Sequence, residues 1–75
     1  MKVRIKLMGM LKDRAPAGDG LELEDGATIS DALMKLAVAS ETIQAVTLNG
    51  SLERDKGRAL VDGDELVILP PVGGG

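Results

Sequence analysis

The run Pro70-Pro71-Val72-Gly73-Gly74-Gly75 holds the residues whose types and order suit chemistry best. Past Val72 it has no side chains, so its polar groups are peptide units and the terminal carboxylate of Gly75. A free carboxylate is a poor electrophile because its oxygens are poor leaving groups. Attack by one of them on the α-phosphate of ATP would convert it into a phosphoric-anhydride leaving group and make the acyl carbon reactive. The chain carries neither a G-x-x-x-x-G-K-[ST] loop nor a G-x-G-x-x-G turn, so it does not bind ATP through those motifs. A glycine end is instead thin enough to enter a closed active site on another protein. Pro70-Pro71 stiffens its root and lowers the entropy lost on threading. Extended, the segment from Pro70 to Gly75 reaches roughly 20 Å, and we expect it to be a flexible tail (70–75) on a folded domain (1–69).

The other residue types narrow the field. There is no cysteine, hence no disulfide, thiolate nucleophile or Cys-based metal site, and no histidine. The commonest general base and the commonest neutral metal ligand are therefore both missing, and with them Ser-His-Asp, Cys-His and zinc-type catalysis. The acidic residues are scattered over strand and turn positions, as on a solvated surface, so we expect a protein that is not itself an enzyme. With 9 basic and 12 acidic residues the net charge is −3. No basic stripe with stacking aromatics is present, which argues against nucleic acid as a partner. No apolar run approaches a membrane span and no signal-peptide pattern is present, so a cytoplasmic location without membrane contact is expected.

The elements that must position the tail follow from periodicity. At 75 residues with no Phe, Tyr or Trp, the chain is one small domain with an aliphatic core. Val3, Ile5 and Leu7 alternate with Lys2, Arg4 and Lys6, as in a half-buried strand. Gly9 to Gly20 reads as loop, and Leu21 to Glu24 as a second strand closing a hairpin. Thr28 and Asp31 form a capping signal ahead of Ile29, Leu33, Leu36 and Ala37, one apolar stripe of a helix that Met34 and Val38 widen. Asp31 and Lys35 stand at i,i+4 on its solvent side. Ser40 to Gln44 is a loop or ragged helix end. Ala45 to Leu48 is a third strand, turned by Asn49-Gly50 into a short return over Ser51 to Glu53. Arg54 to Arg58 is a charged loop, and Leu60 and Val61 are expected to pin it to the core. Asp62-Gly63-Asp64 then turns the chain into Leu66-Val67-Ile68-Leu69, a run of strand length that the two prolines stop. One helix covers one face of that strand. Either Leu66 and Ile68 or Val67 and Leu69 lie on the uncovered face, and continuing the alternation outward from the tail favours Val67 and Leu69.

Asp62-Gly63-Asp64-Glu65, Pro70-Pro71-Val72 and Gly73-Gly74-Gly75 together resemble the sulfur-carrier family of molybdopterin and thiamin biosynthesis (MoaD/ThiS type), and more distantly ubiquitin. Asp25-Gly26-Ala27-Thr28 and Leu48-Asn49-Gly50 extend the resemblance over essentially the whole chain. The family usually has an aromatic residue where Met8-Gly9-Met10-Leu11 stands, and many molybdopterin-type members have Ala or Ser at the position of Gly73. The resemblance implies an α+β fold, a ubiquitin-like β-grasp whose mixed four- to five-stranded sheet wraps one helix, with the first and last strands central and parallel. It also implies a division of labour. A separate E1-like adenylating enzyme uses ATP to activate Gly75, with Gly74 beside it, and sulfur transfer gives a thiocarboxylate. A large synthase subunit or equivalent acceptor then takes the sulfur for a molybdopterin-type cofactor. Alternatives are a thiamin-type carrier or a ubiquitin-like modifier joined to lysine through Gly75. This chain binds no cofactor or metal in that scheme. Val67, Leu69, Pro70, Pro71, Val72 and Gly73 are the expected partner contacts.

Overall fold

The computed structural model describes residues 1–14, 18 and 20–71. Val72, Gly73, Gly74 and Gly75, the glycine end of the expected tail, lie outside the described residues. Strand β1 (Lys2–Leu7) has the alternation its sequence dictates, with Val3, Ile5 and Leu7 buried and Lys2, Arg4 and Lys6 exposed. It pairs antiparallel with β2 (Gly20–Glu22), Val3 opposite Leu21, and parallel with β5 (Glu65–Leu69), Ile5 opposite Leu66. On the other side of β5 lies β3 (Ala45–Leu48), antiparallel, followed by β4 (Ser51–Leu52). The spatial order β2-β1-β5-β3-β4 makes a mixed five-stranded sheet. The first and last strands are central and parallel, as expected of a β-grasp. The turn joining β3 to β4 uses Asn49 (φ 52°) and Gly50 (φ 88°), the two left-handed positions of a tight hairpin turn.

Helix α1 (Ile29–Lys35) begins where Thr28 and Asp31 exchange hydrogen bonds. The Asp31 N–H donates to Thr28 Oγ1 (3.2 Å) and the Thr28 N–H to Asp31 Oδ2 (2.9 Å). Because Asp31 is spent on this cap, the i,i+4 pair with Lys35 does not form. Lys35 reaches β2 instead, its Nζ 2.6 Å from the Glu22 carbonyl. The inner face of α1 is Ile29, Ala32, Leu33 and Leu36, packed with Val3, Ile5, Val46, Leu66 and Ile68 in one aliphatic core. Two members of the expected stripe depart from it. Ala37 is exposed in a left-handed conformation (φ 59°) that ends the helix before its side chain reaches the core, and Met34 is 75% exposed. Val38, just beyond, is buried.

Two connections carry more order than their composition suggests. Gly9–Arg14 is a 3₁₀ helix rather than a loop, fastened by buried Leu11, whose N–H donates to the Met8 carbonyl (3.1 Å). Ser40–Thr42 is a single 3₁₀ turn. Leu60 pins the segment before β5 as expected (2% exposed). Its neighbour Val61 points outward (61% exposed), because adjacent residues of an extended segment cannot both face the core.

Candidate functional site: the exit of strand β5

Strand β5 divides its side chains between two environments. Leu66 and Ile68 are wholly buried beneath α1, while Val67 and Leu69 are half-buried on the opposite face. Register extends that outer face sideways. Val67 stands opposite Lys6 on β1 and Thr47 on β3, Leu69 opposite Ala45, and Thr47 opposite Leu52 at the sheet edge. Leu52 is 56% exposed. Leu69, Val67, Ala45 and Leu52, with Thr47 between Val67 and Leu52, therefore form a mainly apolar strip across three strands, bordered by the exposed basic row Lys2, Arg4 and Lys6. One member of that row, Arg4, lies 3.7 Å from Glu65 (Nη2 to Oε2). An open groove of about 390 Å³ near the sheet edge is lined by Ala45 and Leu52 together with Gln44, Glu53, Arg54 and Lys56.

Both ends of β5 are fastened. At its exit the Met8 N–H donates to the Ile68 carbonyl (3.1 Å) and the Gln44 N–H to the Leu69 carbonyl (2.8 Å). The residues flanking β1 and β3 thus hold the backbone up to the residue before Pro70, which has no N–H to continue the ladder. Pro70 is half-buried and Pro71 exposed. Of the residues expected to meet partners, the structure brings Val67, Leu69, Pro70 and Pro71 together at one corner of the sheet. Val72, Gly73, Gly74 and Gly75 lie beyond the described residues.

At the entry, the Asp62-Gly63-Asp64 turn is tied to β1. The Lys2 N–H donates to Asp62 Oδ1 (2.8 Å), and the Gly63 N–H to the Lys2 carbonyl (2.9 Å). Asp64 is buried, and its carboxylate accepts from the Val61 N–H (2.8 Å) and from Asn49 Nδ2 (2.9 Å). Asn49 completes the link by accepting the Glu65 N–H at Oδ1 (2.8 Å). The β3–β4 turn is thereby latched to the start of β5. Sequence reasoning took both residues as turn formers and missed the latch, since nothing local marks two polar side chains 15 positions apart as partners.

The charged loop closes on itself rather than presenting a site. Arg58 Nη1 lies 2.6 Å from Glu53 Oε1, and the Asp55 N–H donates to Glu53 Oε2 (3.1 Å). The Arg58 hydrogen bond first, then that of the Asp55 N–H, hold the Glu53 carboxyl below its ordinary range. Among the described residues no three acidic side chains converge as metal ligands would, and no helix is long and apolar enough to cross a membrane.

Comparison with known proteins places these features in a lineage. A sequence model of the ThiS family matches residues 5–75. The molybdopterin synthase sulfur carrier subunit of Chlamydomonas reinhardtii is 35% identical over 83 aligned positions, covering 97% of this chain and 100% of that protein. Among solved structures, SAMP1 from Haloferax volcanii matches with a TM-score of 0.76 and 28% identity over 100% of both chains. A chain from the complex of subunits 1 and 2 of the molybdopterin-converting factor of Helicobacter pylori 26695 matches with a TM-score of 0.63, again over 100% of both. At 24% identity that last likeness concerns the fold alone.

Proposed function

Because this chain belongs to the ThiS family, we propose that it is a sulfur carrier of the molybdopterin-synthase type whose Gly75 bears the reactive carboxylate. The observation that carries this reading is the exit of β5. A strand held from both sides hands the chain through a half-buried and an exposed proline into Val72-Gly73-Gly74-Gly75, and the family match runs through Gly75. The likeness to the Chlamydomonas carrier subunit over nearly the whole chain supports the molybdopterin-type pathway.

The chemistry divides between proteins. In the active site of a separate E1-like adenylating enzyme, a Gly75 carboxylate oxygen attacks the α-phosphate of ATP and pyrophosphate leaves. The product is an acyl-adenylate. Sulfide-level sulfur, as hydrosulfide, then attacks the acyl carbon, the acyl–oxygen bond to AMP breaks, AMP departs, and Gly75 ends as a thiocarboxylate. A large synthase subunit finally holds the precursor that receives the sulfur. This chain supplies no acid or base to any step; it is a substrate, and its contributions are presentation and orientation. The strip of Val67, Leu69, Ala45 and Leu52 docks the enzyme while the tail enters, so that the carboxylate arrives oriented rather than by free encounter.

Removing Gly75, or adding one residue after it, is expected to abolish carrier-dependent pyrophosphate exchange by the adenylating enzyme while leaving the melting temperature unchanged. An extended terminus that still supports exchange would overturn the assignment. The likeness to SAMP1, and to a second structure described as H. volcanii small archaeal modifier protein 1, favours one other reading: passage of the activated Gly75 to a lysine amine. Intact mass of the protein from its native cell separates the two, since a carrier shows sulfur in place of one terminal oxygen and a modifier appears joined to other chains.

A further inference from the structure

Beside the exit of β5, Gly9 follows β1 with φ +57°, in the left-handed region, where the chain turns into the 3₁₀ helix Gly9–Arg14. An asparagine would satisfy that backbone as well, since Asn visits the left-handed region with little penalty. A second demand weighs against it. A Cβ built on Gly9 would lie 3.0 Å from Pro70 Cγ and 3.8 Å from Pro70 Cδ, so any side chain at position 9 would begin in tight contact with the proline ring. Both partners are anchored, and both to the end of β5. Met8, immediately before Gly9, donates its N–H to the Ile68 carbonyl, and Leu11 is buried with its N–H on the Met8 carbonyl, which fixes the glycine. The Gln44 N–H on the Leu69 carbonyl fixes the residue before the proline.

We propose that Gly9 is a positioning residue: its bare backbone is the seat of the Pro70 ring, and the seat sets the direction in which the chain leaves β5. This inference rests on the carrier reading for its consequence, because a tail that must enter a closed site gains from leaving the sheet at a fixed angle. A side chain at position 9 requires the ring to give by a few tenths of an ångström. Pro70 and Pro71 carry that displacement outward, since each has a fixed φ. The docking strip on the outer face does not include Gly9, so orientation is lost while docking is kept.

The test is a cycle of three variants, Gly9→Asn, Pro70→Ala and the double substitution, in the full chain. Gly9→Asn keeps the left-handed backbone and adds the Cβ. It is expected to shift the Cα–Hα residual dipolar couplings of Pro70 and Pro71 while leaving those of β1 and the rest of β5 in place. With the adenylating enzyme it should lower kcat about tenfold with little change in KM, a misplacement of a few tenths of an ångström being well short of the 1 Å that costs about a hundredfold. In the Pro70→Ala background, where the ring is gone, Gly9→Asn should have no further effect on either readout. Unmoved couplings at Pro70 and Pro71, or an equal effect of Gly9→Asn with and without the ring, would overturn the seat. If wild-type protein is not adenylated at all, the carrier reading fails, and the couplings alone decide whether Gly9 orients the exit.

Discussion

Asp64 is the buried acidic side chain among the described residues, and its surroundings show the condition on which a core accepts a charge. Its oxygens take the Val61 N–H and the Asn49 amide, and Asn49 in turn takes the Glu65 N–H, so each polar group of the latch has a partner. Asn49→Asp replaces the donor 2.9 Å from Asp64 Oδ1 with a carboxylate. One hydrogen bond is lost and two negative groups face each other, at a cost of about 1–3 kcal/mol. The urea midpoint should fall with the denaturant slope unchanged. Glu53 gives the residue scale a pH dependence. Its carboxyl is held below the ordinary value of 4.5, chiefly by the Arg58 hydrogen bond. The ionised form therefore contributes stability above that value and loses it as pH falls through the lower folded one. Melts of wild type and Glu53→Gln should differ at neutral pH and converge as the solution is acidified below 4.5.

Elements whose cause is local were legible in the sequence, and those whose cause is distant were not. The alternation of Val3, Ile5 and Leu7 gave β1, and Thr28 with Asp31 gave the start of α1, because period and cap are properties of a few neighbouring residues. The 3₁₀ helix Gly9–Arg14 has no such signature: buried Leu11 fastens it, followed by exposed Lys12 and Asp13. Correct spacing was also insufficient where another partner competed, as when the cap drew Asp31 away from Lys35. At the candidate site, period two and one helix required one pair of β5 side chains to face outward, and burial of Leu66 and Ile68 makes that pair Val67 and Leu69. The Asn49–Asp64 latch and the seat of Pro70 on Gly9 join residues distant in sequence, and no local pattern announces them. The cap itself is open to measurement. Thr28→Ala removes the acceptor for the Asp31 N–H and should cost about 1 kcal/mol, a fall in melting temperature of roughly 4–8 °C for a domain of this size.

For the whole molecule, one helix against a five-stranded sheet leaves the second face of that sheet without a covering element among the described residues. On that face an apolar strip adjoins a basic row and ends at the corner where the chain departs through Pro70-Pro71. Leu69 sits at that corner, half-buried, opposite Ala45 and one residue before the prolines. Full burial of a leucine stabilises by about 1.5–3 kcal/mol, and a half-buried one has less than that to lose. A domain this small has little stability in reserve, yet Leu69→Glu should melt only a few degrees lower and still fold. Leu66→Glu, directed into the core from the same strand, should not fold, and the pair of variants separates the two faces. Binding responds differently. A carboxylate at the centre of an apolar contact loses its hydration without a partner, at about 2 kcal/mol or more, so affinity for the adenylating enzyme should fall roughly thirtyfold. Titration calorimetry beside thermal melts reads both quantities. A Leu69→Glu protein that is unfolded, or that binds the enzyme as wild type does, would remove Leu69 from the docking strip. Loss of binding from a folded Leu69→Glu protein would identify the uncovered face of β5 as the surface that holds the domain while its tail reacts.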